Sequence, residues 1–151
     1  MSGGWWAAIL GGALLVWPLV VDRRWDSDAR LARWWVSWAR RRNVPALRSF
    51  LLSLGTLAMY AAFALAGAWV ARATGNRHWA LVPALPAMLA YLPFVFATMP
   101  TQYGAYASWR ADLARAGADP ALQRRIAWPA GIPSLVGLIV VIATLFPIFL
   151  D

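Results

Sequence analysis

Residues 126–150 read IAWPAGIPSLVGLIVVIATLFPIFL, without a single charged side chain. A helix needs about 20 apolar residues to cross roughly 30 Å of bilayer hydrocarbon. Three further stretches have the same character: 5–21 (WWAAILGGALLVWPLVV), 50–71 (FLLSLGTLAMYAAFALAGAWVA) and 79–99 (WALVPALPAMLAYLPFVFATM). Four such runs in 151 residues leave too little polar chain for a water-soluble fold. The expectation is an all-α integral membrane protein, a single polytopic domain over 1–151, with four transmembrane helices in a bundle.

Composition points the same way. The chain is 62% hydrophobic and 13% charged, and it carries 11 Trp, the residue that gathers at membrane–water interfaces. Every cation is Arg and every acid is Asp, in an Ala-rich background, a bias that suits a GC-rich, bacterial coding sequence. The net charge of +8 does not call for nucleic acid, because the Arg residues flank apolar runs and anionic phospholipid headgroups lie beside them. The absence of cysteine removes disulfides, thiolate metal sites and thiol nucleophiles. Residues 5–21 read as a retained span, since Met1–Gly4 has no basic residue and no A-x-A pattern follows.

The Arg distribution gives an orientation. Twelve lie in the first and third connections (Arg23, Arg24, Arg30, Arg33, Arg40, Arg41, Arg42 and Arg48; Arg110, Arg115, Arg124 and Arg125) and two, Arg72 and Arg77, in the second. The positive-inside rule places 22–49 and 100–125 in the cytoplasm of a bacterial cell, with both termini outside. Thr74-Gly75-Asn76 is then a short external turn.

The first connection predicts an amphipathic helix over about 28–42. Asp26-Ser27-Asp28 supply capping oxygens at its start. Leu31, Trp34, Trp35 and Trp38 recur at helical spacing, and Arg40, Arg41 and Arg42 crowd the last turn before Asn43 and Pro45. Such a helix lies in the headgroup plane with Trp toward the acyl chains and Arg toward phosphate, so Trp34, Trp35, Trp38, Arg40, Arg41 and Arg42 are the candidate lipid- or partner-docking residues. In the third connection two short helices are expected, about 105–116 ended by Gly117, and 120–128 capped by Asp119, opened by Pro120 and stopped at Pro129.

Within the spans, Gly4, Ala8 and Gly12, extended by Ala7 and Gly11, form a small-residue stripe, as do Ala64, Gly67, Ala68 and Ala71. In lipid such stripes let helix backbones approach. Pro93 predicts a kink in the third span and frees the Leu89 carbonyl, which Tyr91 or Thr98 is placed to help satisfy locally.

Chemistry is sparse. No span holds an ionisable acid or base of the kind coupled transporters use. His78 is the sole histidine and reads as an interfacial polar residue. No catalytic residue, metal ligand or cofactor site is expected. The layout of spans resembles that of the membrane-associated glutathione and eicosanoid enzymes in topology alone. Arg42-Asn43 and Arg48 stand near the second span without the acid of those families, and Tyr103, Tyr106 and Arg110 are the positions a cofactor would meet. The leading expectation is a non-catalytic accessory or assembly subunit of a larger membrane complex, with anionic phospholipids and partner subunits or copies of itself as neighbours. The alternatives are a homo-oligomeric channel or transporter for a neutral or lipidic substrate, with the Pro93 kink in its pathway, and a small interfacial enzyme acting on lipids or thioethers.

Overall fold

The computed structural model describes residues 3–41, 43–99 and 109–149, and every regular element among them is helical. The order is α1 (Gly3–Trp25), α2 (Ser27–Arg40), α3 (Pro45–Thr74), a 3-10 turn (Arg77–Ala80) leading into α4 (Leu81–Thr98), α5 (Trp109–Arg115) and α6 (Pro120–Phe149). Three helical segments are long and apolar enough to cross a membrane: Pro45–Thr74, Arg77–Thr98 and Pro120–Leu145. Helix α3 packs on both α4 and α6, α4 packs on α6, and α1 lies against α4.

The ends of these helices follow local chemistry. Asp119 Oδ1 accepts the amides of Ala121 (2.9 Å) and Leu122 (2.8 Å), with Pro120 in the first position, the start the sequence predicts. Gly75 (φ +67) and Gly117 (φ +88) take the left-handed conformation that ends α3 and α5. At α2 the expected cap differs. Asp26 is itself left-handed (φ 51) and makes no side-chain cap; Asp22, one turn back on α1, accepts the Asp28 amide at 3.0 Å instead. The left-handed residue turns the chain between α1 and α2 while an acid still meets the positive helix start.

The fourth apolar run differs more. Residues 120–128 are not a separate helix stopped at Pro129; α6 runs unbroken from Pro120 through Pro129 and Pro133. Pro129 frees the carbonyl of Arg125, a charged and exposed residue, and the helix continues past it. Of the expected 105–116 helix, 109–115 is helical as α5, and 105–108 lie outside the described residues.

Two buried clusters hold the fold. One lies among α3, α4 and α6, with Leu14 from α1, and contains Tyr60, Ala84, Met88, Tyr91, Leu92, Val95, Phe96 and Val141. The other is a cap, where Ala32, Trp35, Val36 and Ala39 of α2 meet Trp109 and Leu113 of α5 and Ile126, Ala127 and Ala130 of α6. Contacts are close where side chains are small. A Cβ on Gly67 would stand 2.6 Å from the Ala80 carbonyl oxygen, so glycine lets α3 touch the 3-10 turn. Glycine at 137 likewise admits the Tyr91 ring against α6.

Candidate functional site

Helix α2 buries a face that differs from the Leu31, Trp34, Trp35 and Trp38 set read from the spacing. Its inward face is Ala32, Trp35, Val36 and Ala39, one residue on from the expected set. Trp35 is fully buried, Leu31 and Trp38 are half-buried, and Trp34 remains exposed. Both sets obey helical spacing, and Trp35 belongs to both. Hydrophobicity alone favoured the larger side chains, whereas the small Ala32 and Ala39 are what allow α2 to approach α5 and α6.

Trp35 is the pivot of the cap. Its indole nitrogen donates to Ser49 Oγ at 3.0 Å, and its ring meets Trp109 edge-on at 5.5 Å and stacks on Phe94 at 5.9 Å. From Phe94 the aromatic contacts continue to Tyr91 at 6.3 Å and then to Tyr60 at 5.0 Å. On the outer side Trp34 stacks on Trp38 at 5.9 Å. A continuous aromatic column thus joins the surface helix to the interior of the α3–α4–α6 bundle. Offset and edge-on ring pairs of this kind add about 0.5–1.5 kcal/mol each beyond area burial.

A second connection is made of hydroxyls. Ser53, Thr98 and Ser134, one from each of α3, α4 and α6, are all fully buried. Ser53 Oγ donates to the Ala130 carbonyl at 2.8 Å and lies 3.3 Å from Ser134 Oγ, which is 2.5 Å from Thr98 Oγ1. Thr98 Oγ1 also reaches the Phe94 carbonyl at 2.8 Å, and Ser134 Oγ the Ala130 carbonyl at 3.0 Å. Every member therefore has a backbone acceptor as well as its hydroxyl neighbours. Ser134→Ala is accordingly expected to cost no more than about 1 kcal/mol in a detergent unfolding titration, because both partners keep a backbone acceptor. A loss above about 3 kcal/mol would show that the hydroxyls act as an indivisible unit.

Pro93 sits in α4 and frees the Leu89 carbonyl, as its position predicts. Neither Tyr91 nor Thr98 meets that carbonyl. Thr98 bonds to Phe94 and Ser134, and the Tyr91 hydroxyl has no hydrogen-bond partner among the described residues. The donor is Trp17 of α1, whose indole nitrogen lies 2.8 Å from the Leu89 oxygen. The proline-freed carbonyl therefore ties α1 to α4. A cleft of about 410 Å³ lies between α3 and α4, lined by Met59, Tyr60, Phe63, Pro86, Tyr91 and Phe94 among others.

Among the remaining candidates, Arg40 donates from its guanidinium to the Gly117 carbonyl, pinning the end of α2 to the α5–α6 turn. Arg41 is exposed, and Arg42 lies outside the described residues, as do Tyr103 and Tyr106. Arg110 is exposed on α5.

One feature of the cap carried no linear signal. Asp22, Asp26, Asp28 and Asp112, from two separate connections, act on one another electrostatically at the α1–α2–α5 junction. The carboxyl of Asp28 is pushed up to about 6, first by burial and then by the charges of Asp22, Asp112 and Asp26, against a lowering hydrogen bond from Ser27. That of Asp112 is also raised, by burial above all, with Arg115 opposing. No protein-family model, no curated protein and no solved structure matches the chain.

Proposed function

We propose that this chain is a four-span, non-catalytic membrane subunit that assembles with a partner membrane protein through the outer face of α1. The observation that carries the reading is the space beside Gly11 and Gly12. Among the described residues, a Cβ at either position would meet nothing within 4 Å, whereas glycine at 67 and 137 is consumed by close contacts inside the chain. In lipid, helices associate by close packing and not by hydrophobicity, so an unused small-residue face on a span suits a partner helix. Exposed Ile9, Leu15 and Val16 flank that face with apolar surface.

Other features support the reading. The Leu89 carbonyl freed by Pro93 is held by Trp17, which suits a fixed joint better than a moving gate. The Arg-rich first and third connections share one end of the molecule, since α2 packs on α5 and α5 on α6, in keeping with a cytoplasmic cap under the positive-inside rule. In this arrangement Trp34, Trp38, Arg40 and Arg41 face anionic headgroups or the partner's cytoplasmic surface.

The test is a Gly11→Leu/Gly12→Leu double variant expressed in the native membrane. Because the added side chains enter open space, the chain itself should keep its wild-type melting temperature. Co-purification of the partner should fall at least tenfold. Undiminished co-purification by the variant would contradict the proposed face.

A further inference from the structure

The cleft of about 410 Å³ between α3 and α4 is walled on one side by Thr56, Met59 and Phe63 and on the other by Pro86, Ala90 and Phe94. Each set recurs at helical spacing and forms one stripe of its helix. Its floor is Tyr60 and Tyr91, both buried and stacked at 5.0 Å. The α4 wall is recessed because its side chains are short: two prolines, Pro83 and Pro86, and two alanines, Ala87 and Ala90.

The lining offers little to a polar ligand. Thr56 spends its hydroxyl on the Ser53 carbonyl at 2.8 Å. The Tyr91 hydroxyl lies against Gly137 of α6, a helix that supplies none of the described lining. What remains is hydrocarbon and ring surface. The mouth faces outward, since Met59 is 60% and Phe63 48% exposed, and Pro86 and Ala90 are exposed beside them. Both walls belong to helices long and apolar enough to span, so outward means lipid. From Pro83 to Phe94 the cleft runs about 16 Å at 1.5 Å per residue, roughly half the 30 Å thickness of the hydrocarbon. That is the reach of one acyl chain from one leaflet.

The Phe94 end leads to the cap. Phe94 stacks on Trp35 at 5.9 Å, Trp35 meets Trp34 edge-on at 6.2 Å, and Trp34 stacks on Trp38 at 5.9 Å. Trp34 is exposed and Trp38 half-buried. Arg30, four residues before Trp34, and Arg41, three after Trp38, share that stripe of α2 and are exposed. An apolar slot one leaflet long thus ends beside an interfacial Trp pair flanked by cations, which is the order of chain, ester region and phosphate in a phospholipid.

We propose that the α3–α4 cleft binds one acyl chain of an anionic phospholipid from the leaflet on the cap's side, with its phosphate on Arg30 and Arg41 and its ester region against Trp34 and Trp38. Surrounding lipid is as apolar as the walls, so selectivity comes from close packing on the rings and from headgroup charge. The inference stands apart from the docking reading, because Trp17 of α1 meets α4 at Leu89, which is not among the residues lining the cleft.

The test uses the full chain in detergent, stripped of lipid, with native mass spectrometry against phosphatidylglycerol and phosphatidylcholine of identical chains. The wild type should bind a single phosphatidylglycerol about tenfold more tightly than phosphatidylcholine. Arg30→Gln/Arg41→Gln, at exposed positions, should bind the two equally, at the phosphatidylcholine level. Ala90→Phe fills the slot and should weaken both by about tenfold, with Ala90→Leu intermediate and serving in its place if the larger side chain prevents folding. Gly11→Leu/Gly12→Leu should bind phosphatidylglycerol as the wild type does, so the two proposals fail separately. Equal affinity of the wild type for both lipids would overturn the site. So would unchanged lipid binding in the Ala90 variants, or loss of a co-purifying protein from them with lipid retained, which would give the cleft to a partner's side chain.

Discussion

Gly137→Ala is expected to destabilise the bundle by about 1–3 kcal/mol, although alanine is the better helix former by about 1 kcal/mol. The new Cβ would overlap the Tyr91 hydroxyl and stand 2.8 Å from Cζ and 3.0 Å from Cε1 of the same ring. The ring has little room to retreat, because it stacks almost parallel on Tyr60, 5.0 Å away at 7°, and abuts Phe94 on the aromatic column. Overpacking should therefore displace α6 from α4 and disturb the column that leads to Trp35. A double-mutant cycle isolates the cause. In a Tyr91→Leu background the colliding atoms are gone, and Gly137→Ala should become neutral or stabilising. Equal effects in both backgrounds, read from thermal or detergent unfolding, would mean that the ring is not what glycine makes room for.

Trp17→Phe should cost about 1–3 kcal/mol, more than its loss of apolar contact explains. The substitution leaves the Leu89 carbonyl, already deprived of its helical donor by Pro93, without the 2.8 Å bond from the indole. In hydrocarbon no water replaces it. Pro93→Ala returns an amide to position 93 and so supplies Leu89 from within α4. In that background the cost of Trp17→Phe should shrink by about 1 kcal/mol or more. Strict additivity of the two substitutions would contradict the account of the joint.

Much of this architecture is written locally in the chain. The apolar run at 50–71 lies within Pro45–Thr74, and most of 79–99 and of 126–150 lies within Arg77–Thr98 and Pro120–Leu145, three helices long enough to span, since length and uncharged composition need no knowledge of neighbours. Asp119-Pro120 and the two turn glycines, Gly75 and Gly117, are equally local signals, and each does what its conformational preference dictates. What the sequence hides depends on partners distant along the chain. The helical spacing in 27–40 allows two adjacent faces, and only the position of Trp109 and Ile126 selects the one with the smaller alanines. Pro93 announces a freed carbonyl, but nothing near it names Trp17 as the donor. Pro129 reads as a stop because interior proline usually is one, yet the carbonyl it frees belongs to Arg125, an exposed residue, and α6 continues. The acids follow the same rule: Asp28 and Asp112 sit in different connections, and only the packing of α2 on α5 brings those two segments together.

The mass and composition of the particle extracted from its native membrane in mild detergent test the central reading most directly. The account predicts this 16.6 kDa chain in fixed ratio with a different, larger membrane protein, in a complex that Gly11→Leu/Gly12→Leu disrupts. A particle containing only copies of this chain and lipid, with the same mass in the variant, would contradict it.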